Sequence, residues 1–158
     1  MFLKPDYNLK NIYEINFEEL KQQGIKCIMF DLDSTVMVSK SASFLPETIE
    51  WFNSFINDFE VAIISNNPHK SYIELASKTA PCKVVGKANK PNPKVMREYI
   101  DSIGVKPEEA VMVGDRPLTD VWAGKRLGCK TILVGSINPN ENKIVRWVRA
   151  LERVTIKK

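Results

Sequence analysis

Four continuous apolar runs punctuate the chain, and each is too short and too unbroken to be one face of a helix. Ile25-Lys26-Cys27-Ile28-Met29-Phe30, Val61-Ala62-Ile63-Ile64, Ala110-Val111-Met112-Val113 and Lys130-Thr131-Ile132-Leu133-Val134-Gly135 read as strands buried on both sides. Between them the period changes to that of helices. Asn16 caps a short helix with Glu19 at its third position, and Gly24 ends it. Pro46 opens a second helix whose Ile49, Phe52 and Phe55 or Ile56 share a face. Two more helical stretches cover about 71–78 and 94–102, and Gly104 and Gly128 stand where two later helices stop. Strands alternating with helices in this rhythm predict an α/β fold, a doubly wound parallel sheet covered on both faces. No internal repeat, low-complexity tract or linker interrupts it, and the Ser-rich stretch from Val36 to Leu45 is the expected flap over a site.

The strand ends carry the chemistry. The first delivers Asp31-Leu32-Asp33-Ser34-Thr35 to the carboxyl edge of the sheet, where open α/β folds place ligands. Two carboxylates this close resist double ionisation unless a cation sits beside them, and Mg²⁺ resolves the conflict. One acid is then free to attack phosphorus and the other to exchange a proton with the leaving and attacking oxygens. The same string also serves ordinary turns and N-caps, so its meaning depends on the strand ends downstream of it. The second strand ends in Ser65-Asn66-Asn67-Pro68, a hydroxyl and amides able to hold phosphoryl oxygens. Next comes Lys90 in Lys87-Ala88-Asn89-Lys90-Pro91, able to neutralise both a nucleophile and a phosphoryl group. The strand over 110–113 runs into Gly114-Asp115-Arg116-Pro117-Leu118-Thr119-Asp120, a second acid pair behind a tight turn.

Acid pair, hydroxyl, lysine, acid pair, in that order, resembles the four motifs of the haloacid dehalogenase (HAD) superfamily. Lys4-Pro5-Asp6-Tyr7, Asn11-Ile12-Tyr13-Glu14-Ile15, Ser65-Asn66-Asn67 and the 114–120 element are further similar to the YqeG-type phosphatases of HAD subfamily IIIA, relatives of the phosphatidylglycerophosphate phosphatases. The resemblance implies that Asp31 is the nucleophile forming an aspartyl-phosphate and that Asp33 is the general acid and then the base. It implies that Ser65, Asn66 and Lys90 bind the phosphoryl group. It also implies that Mg²⁺ is held by Asp31, the backbone carbonyl of Asp33 and Asp115, with Asp120 in support through water or Lys90. The chain departs from the family's usual DLDNT at Ser34, and Pro117 is unusual in the fourth motif.

At 158 residues the chain has room for one domain. HAD caps are inserted between the motifs, yet only 29 residues separate Thr35 from Ser65 and 24 separate Ser65 from Lys90. Residues 1–158 are therefore expected to form a single capless, HAD-like Rossmannoid phosphatase domain. Its open site suits a bulky substrate or one enclosed by a partner chain, so an oligomer is one route to closure. The three cysteines lack metal-ligand spacing and read as reduced, and the single His69 reads as a helix-start surface residue. One histidine leaves carboxylates as metal ligands and hence a hard cation. The opening residues lack the apolar core of a signal peptide, and a cytoplasmic location is expected.

Net charge is +4 despite four acids assigned to one site, and much of the excess falls in residues 143–158. There Ile144, Trp147, Val148, Leu151 and Val154 interleave with Lys143, Arg146, Arg149 and Arg153 at helical spacing. The segment reads either as a final helix packed on the sheet or as a peripheral contact with anionic membrane, worth about 1 kcal/mol per basic residue near the surface. Nucleic acid is not expected as a partner, for lack of a recognisable module. The resemblance makes phosphatidylglycerophosphate the candidate substrate. Soluble sugar phosphates or nucleotides, or a noncatalytic HAD-like scaffold binding a partner through its basic face, stand as alternatives. A receiver domain combines similar groups in a different chain order and is disfavoured.

Overall fold

Strand β2 (Cys27–Phe30) lies at the centre of the sheet, and all four of its residues are buried. The structure, a computed structural model, describes residues 3–137. Its sheet has six parallel strands in the order β1-β6-β5-β2-β3-β4, with β1 at Tyr7–Asn8, β3 at Glu60–Ile64, β4 at Lys83–Val85, β5 at Ala110–Gly114 and β6 at Lys130–Leu133. Alternation along the central strands sorts the core into two halves. Ile28, Phe30, Ile63, Val111 and Val113 face one side, with Leu20 of α1 (Phe17–Gln22), Phe52 of α2 (Pro46–Asn53) and Ala76 of α3 (Lys70–Ser77). Cys27, Met29, Ala62, Ile64 and Met112 face the other, with Met96 and Ile100 of α4 (Lys94–Ser102) and Ala123 and Leu127 of α5 (Trp122–Leu127). This is the doubly wound arrangement that the apolar runs predict.

The local signals act as their chemistry requires. Asn16 caps α1 through its side-chain oxygen, which accepts the Glu19 N–H at 3.0 Å. Pro46 occupies the first turn of α2, where its missing N–H costs nothing. Gly128 ends α5 at φ +92°, a left-handed position that a side chain would strain. On the first face an aromatic cluster locks α1 and α2 to β2: Phe17 stacks on Phe55 at 3.9 Å between ring centroids, and Phe30 meets Phe52 edge-on at 5.2 Å. The three cysteines are free thiols, and burial above all pushes each up to about 12, which disfavours the thiolate.

The 36–45 stretch is anchored rather than a loose flap, because Val36, Met37, Ala42 and Phe44 are all buried. The basic segment 143–158 lies outside the described residues. Among the described residues no helix is long and apolar enough to cross a membrane.

Candidate active site

Register brings the motifs to one edge. Phe30 is level with Ile63 of β3 and Val113 of β5, so the next residues, Asp31, Ile64 and Gly114, stand level at the carboxyl edge of the sheet. The ladder runs one bond further on either side, from Asp31 N to the Val113 carbonyl at 2.9 Å and from Ser65 N to the Val85 carbonyl at 2.8 Å. After Asp31 the chain curls around the Leu32 carbonyl, which accepts the N–H groups of Thr35, Val36 and Met37 at 3.2–3.3 Å. Ser34 takes φ +71° in this turn, where asparagine tolerates the left-handed backbone better than serine.

Lys90 sits at the centre. Its ammonium, almost entirely buried, lies 2.9 Å from Asp31 Oδ1 and 2.8 Å from Asp120 Oδ1. Burial opposes its charge, but Asp120 and Asp31 outweigh burial and hold the ammonium above its ordinary value. Asp120 is pushed up to about 6, first by its own burial and then by the charge of Asp31, with Lys90 pulling against both. Thr35 Oγ1 donates to Asp115 Oδ1 at 3.1 Å and lies 3.4 Å from Asp31 Oδ2. One hydroxyl has one proton, so the shorter bond to Asp115 is the stronger claim. Asp31, Asp115 and Asp120 each place an oxygen within 4.8 Å of the others. Three carboxylates against one ammonium leave an excess of negative charge on hard oxygen donors, and these residues fit a magnesium-like cation.

Asparagine does different work from that of the acids. The Asn66 side chain pairs reciprocally with the Lys90 backbone, donating from Nδ2 to its carbonyl at 2.9 Å and accepting its N–H at 2.7 Å, and so fixes the stem of the lysine. Ser65 is buried, and its Oγ accepts the Asn67 N–H at 3.1 Å. Asp33 Oδ1 accepts the Tyr72 hydroxyl at 2.6 Å and the Lys40 N–H at 3.1 Å. Exposed His69 stands at the start of α3, a surface position. All the residues singled out in the four motifs thus border one sheet edge.

Thr35 and Tyr72 are the site residues that sequence reasoning left without a role. Thr35 stood inside the first motif. Tyr72 lies 39 positions from Asp33, and nothing in a linear string links them.

Asp120 reaches Lys90 because the segment after Asp115 winds as a π-helical turn, Pro117–Val121, with Pro117 in its first turn. Asp120 Oδ2 accepts the Arg116 N–H at 3.2 Å, closing the turn. Gly114 makes room for it: a Cβ built there would overlap the Asp120 carboxyl. Gly114→Ala should therefore push Asp120 off Lys90, destabilise the fold by about 1–3 kcal/mol as overpacking does, and lower phosphate release by an order of magnitude or more. Thermal unfolding and turnover check this; a variant with wild-type values for both would show that the turn yields freely.

Comparison with known proteins agrees with the geometry. Residues 87–147 match the model of a HAD-hydrolase-like family. The chain is 35% identical to the probable phosphatase YqeG of Bacillus subtilis, over 96% of this chain and 88% of that one. It is 29% identical to the chloroplastic/mitochondrial phosphatidylglycerophosphate phosphatase 1 of Arabidopsis thaliana, spanning 99% of this chain and 48% of that protein's length. Its fold superposes on a 2-haloacid dehalogenase from Pseudomonas syringae with a TM-score of 0.56 at 15% identity, covering 69% of this chain and 86% of that one. With four motifs converging on one sheet edge and a YqeG phosphatase matching along nearly its whole length, the chain belongs to the HAD superfamily, as a phosphatase of the YqeG type.

Proposed function

We propose that the chain is a Mg²⁺-dependent phosphomonoesterase that works through an aspartyl-phosphate on Asp31, with phosphatidylglycerophosphate as its substrate. The observation that carries the mechanism is the placement of Asp31. Its carboxylate is partly open to solvent while Lys90, itself buried, grips it from behind. A carboxylate oxygen attacks phosphorus and the bond to the leaving oxygen breaks, with Asp33 giving that oxygen a proton. Water then attacks the same phosphorus, Asp33 takes its proton, and the bond to Asp31 breaks to release inorganic phosphate. The Lys90 ammonium, the Ser65 hydroxyl and the Asn66 backbone N–H face the phosphoryl oxygens in this reading, the Asn66 side chain being committed to Lys90. Asp31, the Asp33 carbonyl and Asp115 would hold the cation, with Asp120 in support through water or Lys90. When bound, Mg²⁺ neutralises charge on the transferring group.

Support for the lipid is the name of the plant relative and the absence of long insertions between the motifs, which fits a capless domain of residues 1–158 open to a bulky headgroup. A basic 143–158 segment at an anionic membrane surface and a cytoplasmic, peripheral location belong to the same reading. The test is phosphate release from phosphatidylglycerophosphate in mixed micelles, glycerol 3-phosphate, sugar phosphates, nucleotides and p-nitrophenyl phosphate, each with Mg²⁺ and with EDTA. The expected result is Mg²⁺-dependent release with the lipid preferred by at least about tenfold in kcat/KM. Turnover of soluble esters alone would discard the lipid, and release unaffected by EDTA would discard the metal.

A further inference from the structure

Asp33 is held in an unusual way. Both of its donors, the Tyr72 hydroxyl at 2.6 Å and the Lys40 N–H at 3.1 Å, fall on one oxygen, Oδ1. The phenol O–H donates and the carboxylate oxygen accepts, which sets the direction of the 2.6 Å bond. The loop that supplies the Lys40 N–H is bent around it. Lys40 and Ala42 adopt φ +63° and +53°, left-handed conformations costly for residues with a Cβ, which persist where surrounding structure dictates them. Buried Ala42 and Phe44 pin that loop to the core, while Tyr72, half-buried on α3, packs against the same core.

We infer that Tyr72 is a positioning residue for proton transfer: by fixing Oδ1 of Asp33 it leaves Oδ2 as the oxygen that carries the proton to the leaving group and takes one from water. Two hydrogen bonds on one oxygen stop rotation of the carboxyl and set which oxygen meets the substrate. The inference rests on the assignment of Asp33 as the acid and base. It also gives the 36–45 segment a function, since Lys40 belongs to it: the segment is a brace for Asp33.

Leaving groups separate positioning from mere stability. An alkyl phosphate expels an alkoxide that must be protonated, whereas p-nitrophenyl phosphate expels a stabilised phenolate that departs without help. Wild type, Tyr72→Phe and Asp33→Asn are compared with Mg²⁺ on p-nitrophenyl phosphate and on the alkyl phosphate that wild type turns over best, with melting temperatures alongside. Tyr72→Phe keeps the ring and removes only the hydroxyl. It should lower kcat/KM for the alkyl ester about tenfold and leave kcat/KM for p-nitrophenyl phosphate within about twofold, because that ratio ends at departure of the leaving group, whereas the later water step needs Asp33 on either ester and slows kcat on both. Equal losses of kcat/KM on both esters, or none on either, would overturn the inference while Asp33→Asn still discriminates between them in kcat/KM. If Asp33→Asn fails to discriminate, the assignment of Asp33 falls and the role of Tyr72 falls with it.

Discussion

Asp31→Asn is expected to lower phosphate release by roughly 10³-fold or more, because an amide oxygen is a poor nucleophile and the acyl phosphate cannot form. The loss should come without unfolding. Asp31 raises the proton affinity of buried Asp120 by its negative charge, and the two acids share one ammonium. Removing one of two like charges that face a common partner relieves the other, so the metal-free variant should melt at or above the wild-type temperature. Phosphate release with Mg²⁺ and thermal unfolding with EDTA check both halves. Activity within about tenfold of wild type would refute Asp31 as nucleophile; a large drop in melting temperature would show that Asp31 holds Lys90 in place for the fold as well as for catalysis.

The acids were legible in the sequence for the same reason that they are mutually strained in the structure. A buried parallel strand is a continuous apolar run, so β2, β3, β5 and β6 announce themselves, and the first polar residue after each is at the carboxyl edge by construction. The helices show through caps and period, and α4 at Lys94–Ser102 matches its expected extent. What escaped notice was marginal in burial or length. Strand β1 is two residues long, too short for any period. Strand β4 is an edge strand in which Lys83 is exposed and Val84 and Val85 are half-buried, which weakens the apolar signal. The π-helical turn at Pro117–Val121 has no sequence signature, since a proline in a first turn fits several conformations.

The loops around the site hid most. Ser34, Lys40, Ala42, Lys87 and Asn89 all take positive φ, yet only Asn89 is a residue type that suggests it. At Lys87 a tertiary bond overrides propensity, its N–H on the Asn67 carbonyl at 3.0 Å, while at Ser34 and Lys40 bonds within the loop do so, Ser34 N on the Met37 carbonyl at 2.8 Å and Lys40 N on Asp33 Oδ1 at 3.1 Å. Local rules fail in these loops, beside the residues proposed to do the chemistry, which is where a fold tolerates strain. The partnership of Asn66 with the Lys90 backbone belongs to the same class. Its residue type was noticed, but the partner across 24 positions was set by the loop closing over the sheet edge.

Lys90→Met tests whether that closure is electrostatic. Methionine matches much of the lysine's length but leaves Asp31 and Asp120 without their shared ammonium, and breaking a buried pair in this way costs about 3–5 kcal/mol. The deficit should depend on pH in a stated sense. Asp120, already pushed up to about 6 from an ordinary 3.8, should rise further once the ammonium that pulls it down is gone. A carboxyl whose folded value exceeds its unfolded one binds protons more tightly when folded, so it stabilises as pH falls and destabilises as pH rises through the window between the two. The gap between variant and wild type should therefore be largest near pH 7.5 and narrow towards pH 5, read by urea unfolding with EDTA. A gap of equal size at both values would mean that packing, and not the two acids, is what Lys90 satisfies. With Mg²⁺ present the variant should still lose roughly 10²-fold or more in turnover if Lys90 has the phosphoryl-binding role proposed for it, because the metal cannot replace that donor; near wild-type turnover would move Lys90 from the reaction to the scaffold.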